Sequence, residues 1–428
     1  MTVRGMRVCW VWAFAMLVVG AGAAILSLYT TSGFLVFTIV GVSLLLLTTP
    51  LMLPLVAAMI RFRRVVHTVS PTRLLRLIAA GKATFVGEGW SFWLNYVRPG
   101  KHVVSMTHSY AGVLSWEDDR VVVRTGTRIG DLARAASKRG KALQDRSQFD
   151  DMTVGGALKT LAHGFSTRAW MCDTVVNVEA MRLGTFHRVR IHRSDPGFRS
   201  ALLDPAVILL SATLRLVENR ASALFHRERR CVEELDLARY MASNYRMLFV
   251  AATRVTAEWV EDAPSEDALS EDAQSDAAPL LDGRPHIRVQ TAWQTLGWRQ
   301  DYTARVSLSE AHAYVRSLDF VEMAFIHILG YINFELFVPC ECPLEEYVDY
   351  LQAYHREFSG RTEIRERLRA TTHILAIDVA LHCRDKGRAI ARLLDDLHDR
   401  FHVRRAGMHR GKYRLSSLDP IRLCNWYT

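Results

Sequence analysis

Several signatures that would assign a class at once are missing from this chain. Cysteine is sparse and odd in number: Cys9, Cys172, Cys231, Cys340, Cys342, Cys383 and Cys424 include no C-x-x-C pair. That excludes a zinc ribbon, argues against a disulfide framework, and points to a reducing compartment for the bulk of the protein. A dinucleotide fingerprint is missing too. Gly87-Glu88-Gly89-Trp90-Ser91 begins like G-x-G-x-x-G, but Phe92 stands where the third glycine belongs and no helical period follows. Charge is absent from residues 8–60, and Lys and Arg are absent between Glu258 and Asp282, where nine acids fall. The chain has 54 basic and 44 acidic residues, so outside that acidic stretch the basic excess rises to 19. Such an excess suits an anionic membrane face, an anionic cofactor or nucleic acid.

At 428 residues there is room for two domains besides any membrane segment. The uncharged run breaks once, at Tyr29-Thr30-Thr31-Ser32-Gly33, into two stretches each long enough for a bilayer core of about 30 Å. Arg4 and Arg7 precede it and Arg61, Arg63 and Arg64 follow it, so the positive-inside rule predicts two transmembrane helices over 8–60 with both ends cytoplasmic. The expectation is an integral membrane protein whose main domain is cytoplasmic, in the endoplasmic reticulum or another internal membrane if the host is eukaryotic or viral. Reading residues 4–23 as a signal peptide is the rival, and residues 33–60 would then still span. Residues 61–81 read as a basic, helix-like linker.

Beyond the linker, residues 82–86 read as a strand that runs into the Gly87 loop, whose glycines allow a backbone to approach a diphosphate. Strands follow at 102–105 and 120–124, the second entered by a Glu117-Asp118-Asp119 turn. Thr127 is placed to cap a helix with Ile129, Leu132 and Ala136 on one face, ending at Gly140. Next come Asp150-Asp151-Met152-Thr153-Val154-Gly155-Gly156 and His163-Gly164.

In this order the motifs resemble the FAD-binding (PCMH-type) domain of the vanillyl-alcohol oxidase superfamily, over residues 82–217. There a G-S-G-H-S loop and a T-V-G-G segment wrap the flavin diphosphate. Residues 173–176 resemble the family's next strand, and residues 198–214 the strand that closes the domain. The resemblance assigns cofactor contacts to Gly87, Glu88, Gly89, Trp90, Ser91, Thr153, Val154, Gly155, Gly156, His163, Gly164 and Val207. Met408-His409-Arg410-Gly411-Lys412 resembles the P-H-x-G-K tail of aldonolactone oxidases, which returns to the flavin. Sterol side-chain reductases of the same superfamily fit in part, through the acidic pair before T-V-G-G and their N-terminal spans. Trp90 replaces the histidine that forms the covalent flavin bond, so this loop can hold FAD only non-covalently. The usual G-T-H-G-x-G is reduced to Leu161-Ala162-His163-Gly164-Phe165-Ser166, and glycine is also lost near Val207, where a Cβ can block close approach.

Residues 221–392 mix strands at 247–250 and 332–338 with helical stretches such as 344–358, and read as an α+β cap over the flavin. The whole is therefore expected to be an α+β chain, with a solvated acidic insertion over 258–283 and a segment 393–428 that returns to the flavin. Glu335 resembles a residue on a cap strand facing the flavin, where a carboxylate could orient a hydroxyl or take its proton; otherwise it is a strand residue facing solvent. Lys412 would stabilise the reduced ring, and His409 would position substrate or act as base. His398 and His402 have zinc-like spacing without a third ligand, so no metal is expected. The arginine-rich tail has no interleaved aromatic platform, so no nucleic-acid partner is expected. Two readings stay open: an oxidoreductase acting on a sugar-lactone or other small alcohol substrate, and a membrane-tethered flavoprotein fold that has lost catalysis. The patterns do not set the oligomeric state.

Overall fold

The computed structural model describes residues 66–81, 83–87, 102–147, 149–219, 223–262, 302–309, 332–340, 342–368, 373–403 and 407–408. The run at 8–60 expected to span a membrane, Glu88 to Ser91, the acidic stretch after Asp262, and His409 and Lys412 lie outside the described residues. No described helix is long and apolar enough to cross a membrane.

Among the described residues, three sheets follow one another along the chain. The first is parallel, with β1 (Val66–His67), β2 (Ala83–Val86) and β3 (His102–Ser105) in the order β1-β3-β2. The helix Pro71–Ala80 crosses between β1 and β2. Its start is set by Pro71 and by the Ser70 hydroxyl, which accepts from the Arg73 N–H at 3.3 Å; Gly81, at φ +63°, ends it. Leu74 and Ile78, one turn apart, pack with Val104, Met181 and Leu210. The residues assigned to a linker are therefore part of this layer from Val66 onward, because that helix has an apolar stripe to bury.

The second sheet holds β4 (Val113–Glu117), β5 (Arg120–Arg124), β7 (Val175–Arg182), β8 (Arg188–His192) and β9 (Val207–Glu218) in the order β4-β5-β9-β7-β8, with β6 (Lys141–Leu143) added to β9. Every pairing is antiparallel. One face carries Val121, Val123, Val178, Ala180, Ala212 and Leu214 into a core shared with the helices Ile129–Ser137, Val154–Thr160 and Phe198–Leu203. Three expected details differ here. Arg128, not Thr127, precedes the first of these helices, and the Thr127 hydroxyl instead accepts from the Gly112 N–H at 2.8 Å, a tertiary partner that wins over the local cap. Residues 198–203 are helical because Phe198 and Leu202 share a buried face one turn apart. Asp173 sits in a 3-10 turn before β7, its carboxylate accepting from the Trp170 N–H at 3.0 Å.

The third sheet has eight strands: β10 (Ala223–Arg230), β11 (Arg246–Val250), β12 (Val255–Asp262), β13 (Tyr302–Val306), β14 (Ile332–Cys340), β15 (Gly360–Leu368), β16 (His373–Leu381) and β17 (Gly407–Met408), ordered β13-β10-β12-β11-β15-β16-β14-β17. The helices Leu344–Phe358 and Lys386–Asp399 bury their apolar stripes in its core. Glu258 to Asp262, assigned to the acidic insertion, belong to β12. Glu258 is buried against Arg227, and Glu261 pairs with Arg239. Their compensating cations come from β10 and from a neighbouring helix, so a linear reading of charge misses them. The helix bearing His398 stops at Asp399, and His402 follows it at φ +54°, so the two imidazoles do not share a helix face. Among the described residues no cluster could hold a metal ion.

Candidate functional site

The Thr153-to-Gly156 turn is laid along the segment leaving β5. The Ile129 N–H donates to Met152 O at 2.8 Å, the Val154 N–H to Thr127 O at 2.9 Å and the Gly155 N–H to Thr125 O at 2.8 Å. Thr153 caps the helix Val154–Thr160, its hydroxyl accepting from the Gly156 N–H at 3.1 Å. Each of these N–H groups is thus engaged within the domain. Gly155 meets a packing demand: a Cβ there would lie 2.9 Å from Thr125 Cβ and 3.2 Å from its carbonyl oxygen. On Gly156 it would meet, among the described residues, only Thr153 Oγ1, at 3.0 Å, and Met152 Cγ, at 3.9 Å.

Gly87 brings the first glycine loop to this turn. A Cβ there would fall 2.3 Å from Thr153 Oγ1, so only glycine lets β2 run out over the threonine. Two segments far apart in sequence therefore meet, and Glu88 to Ser91 continue from that junction. Val154 and Val207 lie in the apolar core of the second sheet, Val154 fully buried and Val207 at the first position of β9.

The helix ends at Leu161, which takes a left-handed conformation at φ +58° and turns the chain toward His163. His163 and Glu335, 172 residues apart, meet with His163 Nε2 2.9 Å from Glu335 Oε1, and each side chain is 1% exposed. Glu335 is therefore buried rather than solvent-facing. With Glu335 ionised, and so only an acceptor, this contact would put the imidazole proton on Nε2. Arg365 lies 3.6 Å from the same carboxylate oxygen and pairs with Glu363 at 2.7 Å; burial disfavours its charge, but Glu363, Glu335 and Asp378 together outweigh that and raise its pKa. The His163 ring stacks on Trp170, centroids 4.7 Å apart, and meets Phe337 edge-on at 5.7 Å. Gly164 sits so close to its neighbours that a Cβ would be 2.1 Å from Arg146 O. Below it the Asp145 carboxylate accepts from the Gly164 N–H at 2.9 Å and the Ser166 N–H at 3.3 Å, and burial raises its pKa to about 6.

This segment is also the seam between the second and third sheets. Leu368 N–H donates to Thr167 O at 2.6 Å, Arg246 N–H to Phe165 O at 2.9 Å and Thr167 N–H to Asn244 O at 2.8 Å. Asp173 holds Arg367 at 2.7 Å across the seam, with Arg199 at 3.3 Å and Arg193 at 3.5 Å on its own side. Asp145, Trp170, Asp173, Arg365 and Arg367 were not singled out by sequence reasoning. The one available signal was the Glu363-Ile364-Arg365-Glu366-Arg367 run, too charged for an ordinary core strand unless its charges are paired.

The residues present suit an extended dinucleotide in one respect: two glycine segments converge, and no other described residue crowds Gly156. They do not offer the N–H groups of residues 154–156, so donors to a diphosphate would have to come from the loop that starts at Gly87. Comparison with known proteins agrees with that assignment of the domain. Residues 73–189 match the family described as FAD binding domain, beginning within the helix Pro71–Ala80. No curated protein matches the chain. The crystal structure of cholesterol oxidase from B. sterolicum superposes with a TM-score of 0.57 and 12% identity, over 80% of this chain and 81% of that one, a likeness of fold. Residues 73–189 are thus similar to the FAD binding domain family, in a chain whose fold is like that of cholesterol oxidase.

Proposed function

We propose that this protein is an FAD-dependent oxidoreductase, anchored in a membrane through residues 8–60, that oxidises a C–OH group of a small alcohol or sugar-lactone substrate. The meeting of Gly87 with Thr153 supports this reading most directly, because it joins both glycine segments of an FAD binding domain in one place. Gly87 and the following Glu88, Gly89, Trp90 and Ser91 would hold the cofactor from one side, and Thr153, Gly156 and Gly164 from the other. Bound FAD would supply the acceptor for a hydride. Glu335 fixes the proton of His163 on Nε2 and orients the ring, Trp170 and Phe337 exclude water from it, and Arg365 keeps the carboxylate compensated. His409 and Lys412 are proposed to return to this site, with Lys412 as the cation beside the reduced ring.

The test is the visible spectrum of the purified full chain. Flavin absorbance that leaves with acid or denaturant is expected, since Trp90 cannot form a histidyl bond. Flavin that stays with the chain on a denaturing gel would contradict the non-covalent reading. A second reading, a flavoprotein fold kept as a tethered scaffold, is favoured by the engaged N–H groups of Val154, Gly155 and Gly156. A chain that carries no flavin and takes up none when refolded with FAD would support it.

A further inference from the structure

The most exposed large apolar side chain among the described residues is Phe186, 74% exposed at the tip of the β7–β8 hairpin. Among the described residues β8 pairs only with β7, at the edge of the second sheet, and its burial alternates to leave Arg188, Arg190 and His192 toward solvent. Charges on an edge strand guard against pairing with another chain, and that alone would explain the arginines. It does not explain an exposed phenylalanine among them, nor what the tip rests on. The Gly184 N–H donates to Ile78 O at 3.0 Å, fastening the hairpin to the helix Pro71–Ala80, whose Arg73 and Arg76 are exposed. Glu179 pairs with Arg188 at 3.3 Å and stands directly across from Arg190, offsetting part of their charge, while Arg73 and Arg76 have no ion-pair partner among the described residues. This helix begins eleven residues after Ile60, the end of the uncharged run. A wedge of one aromatic ring beside exposed arginines, this near in sequence to the uncharged run, is complementary to a lipid headgroup layer.

We propose that Phe186, His187, Arg188 and Arg190, together with Arg73 and Arg76, dock the FAD binding domain onto an anionic lipid surface. The contact fixes how the domain stands on the membrane, with the ring at headgroup level and the guanidinium groups on phosphates and carboxylates. It rests on the reading of residues 8–60 as a membrane hairpin, which alkaline carbonate extraction tests separately. Each arginine near an anionic leaflet is worth about fivefold in local affinity.

The experiment is hydrogen exchange on the full chain in nanodiscs of phosphatidylcholine, with and without about a third of phosphatidylserine. Amides of 184–192 and 71–80 are expected to exchange roughly tenfold more slowly in the anionic discs only, and the slowing should vanish at about 1 M salt, where screening reaches ~3 Å. Phe186→Ser with Arg190→Glu should abolish it without lowering Tm; if that variant unfolds, the salt arm decides alone. Equal exchange in both lipids, or slowing that survives high salt, overturns the proposal, as does slowing produced by single-stranded RNA but not by lipid. If carbonate releases the chain, the anchor reading fails, and flotation with phosphatidylserine vesicles then reads the face by itself.

Discussion

At the scale of single residues, the glycines make unequal demands, and their order is a prediction. A Cβ on Gly164 would lie 2.1 Å from a backbone carbonyl, one on Gly155 2.9 Å from Thr125 Cβ, and one on Gly156 3.0 Å from a side-chain hydroxyl. Replacement by alanine should therefore cost most at Gly164, about 1–3 kcal/mol at Gly155, and least at Gly156. Urea unfolding would rank them, while flavin content should fall most selectively for Gly156→Val if the cofactor lies beside it. The His163–Glu335 pair makes a second case. Glu335→Ala leaves Arg365 and the imidazole buried without their shared carboxylate, and a loss of about 3 kcal/mol is expected. Glu335→Gln, which keeps the shape, should cost less. Asp145 adds a pH dependence. With its pKa raised from 3.8 to about 6, the folded chain keeps a proton that the unfolded chain has already lost between those values. Stability should accordingly fall by ~3 kcal/mol as pH rises through that window and stay level above it. Asp145→Asn should flatten this slope and match or exceed the parent at neutral pH, measured as Tm against pH.

At the scale of elements, the helix Leu344–Phe358 shows how a readable period still conceals a titrating group. Its buried stripe of Leu344, Tyr347, Val348, Leu351, Tyr354 and Phe358 follows the 3.6-residue repeat, and its bounds coincide with the stretch legible in the sequence. His355 lies on the buried side, 2.6 Å from the Thr362 hydroxyl on β15, and burial lowers its pKa from 6.5 to about 3. The folded chain thus stays neutral where the unfolded one takes up a proton, so stability should fall as pH drops from about 6.5 toward about 3. Below pH 6 this trend opposes that of Asp145. His355→Gln, which retains a partner for Thr362, should remove the acid-side loss and leave the Asp145 slope exposed; chemical denaturation at a series of pH values would separate the two. Where the sequence reading of an element failed, a tertiary partner had displaced a local one. Thr127 bonds to Gly112 instead of capping the next helix, and residues 198–203 are helical because their apolar face meets the second sheet.

At the scale of the whole molecule, the second and third sheets are joined by the 163–174 segment, with Asp173 to Arg367 as the charged link and Phe337, Ile374 and Ala376 entering the core of the second sheet. Asp173→Ala would leave Arg367 buried, 7% exposed and unpaired, and should uncouple the sheets. Two separated transitions, by flavin or tryptophan fluorescence and by far-ultraviolet circular dichroism, are expected where the parent shows one; coincident transitions would refute this. What could be read from the sequence was local in its physics. Alternation and helical period mark most strands and helices, and glycine-rich turns beside strands mark the places where a backbone must come close to something. The pairing of His163 with Glu335, and of Arg227 with Glu258, was not legible, because a buried charge looks like a surface charge until its partner arrives from another strand. The role of Gly155 was likewise decided only by the fold: glycine tells that a Cβ is excluded there, and the tertiary structure shows that Thr125, packed against it, is what excludes it.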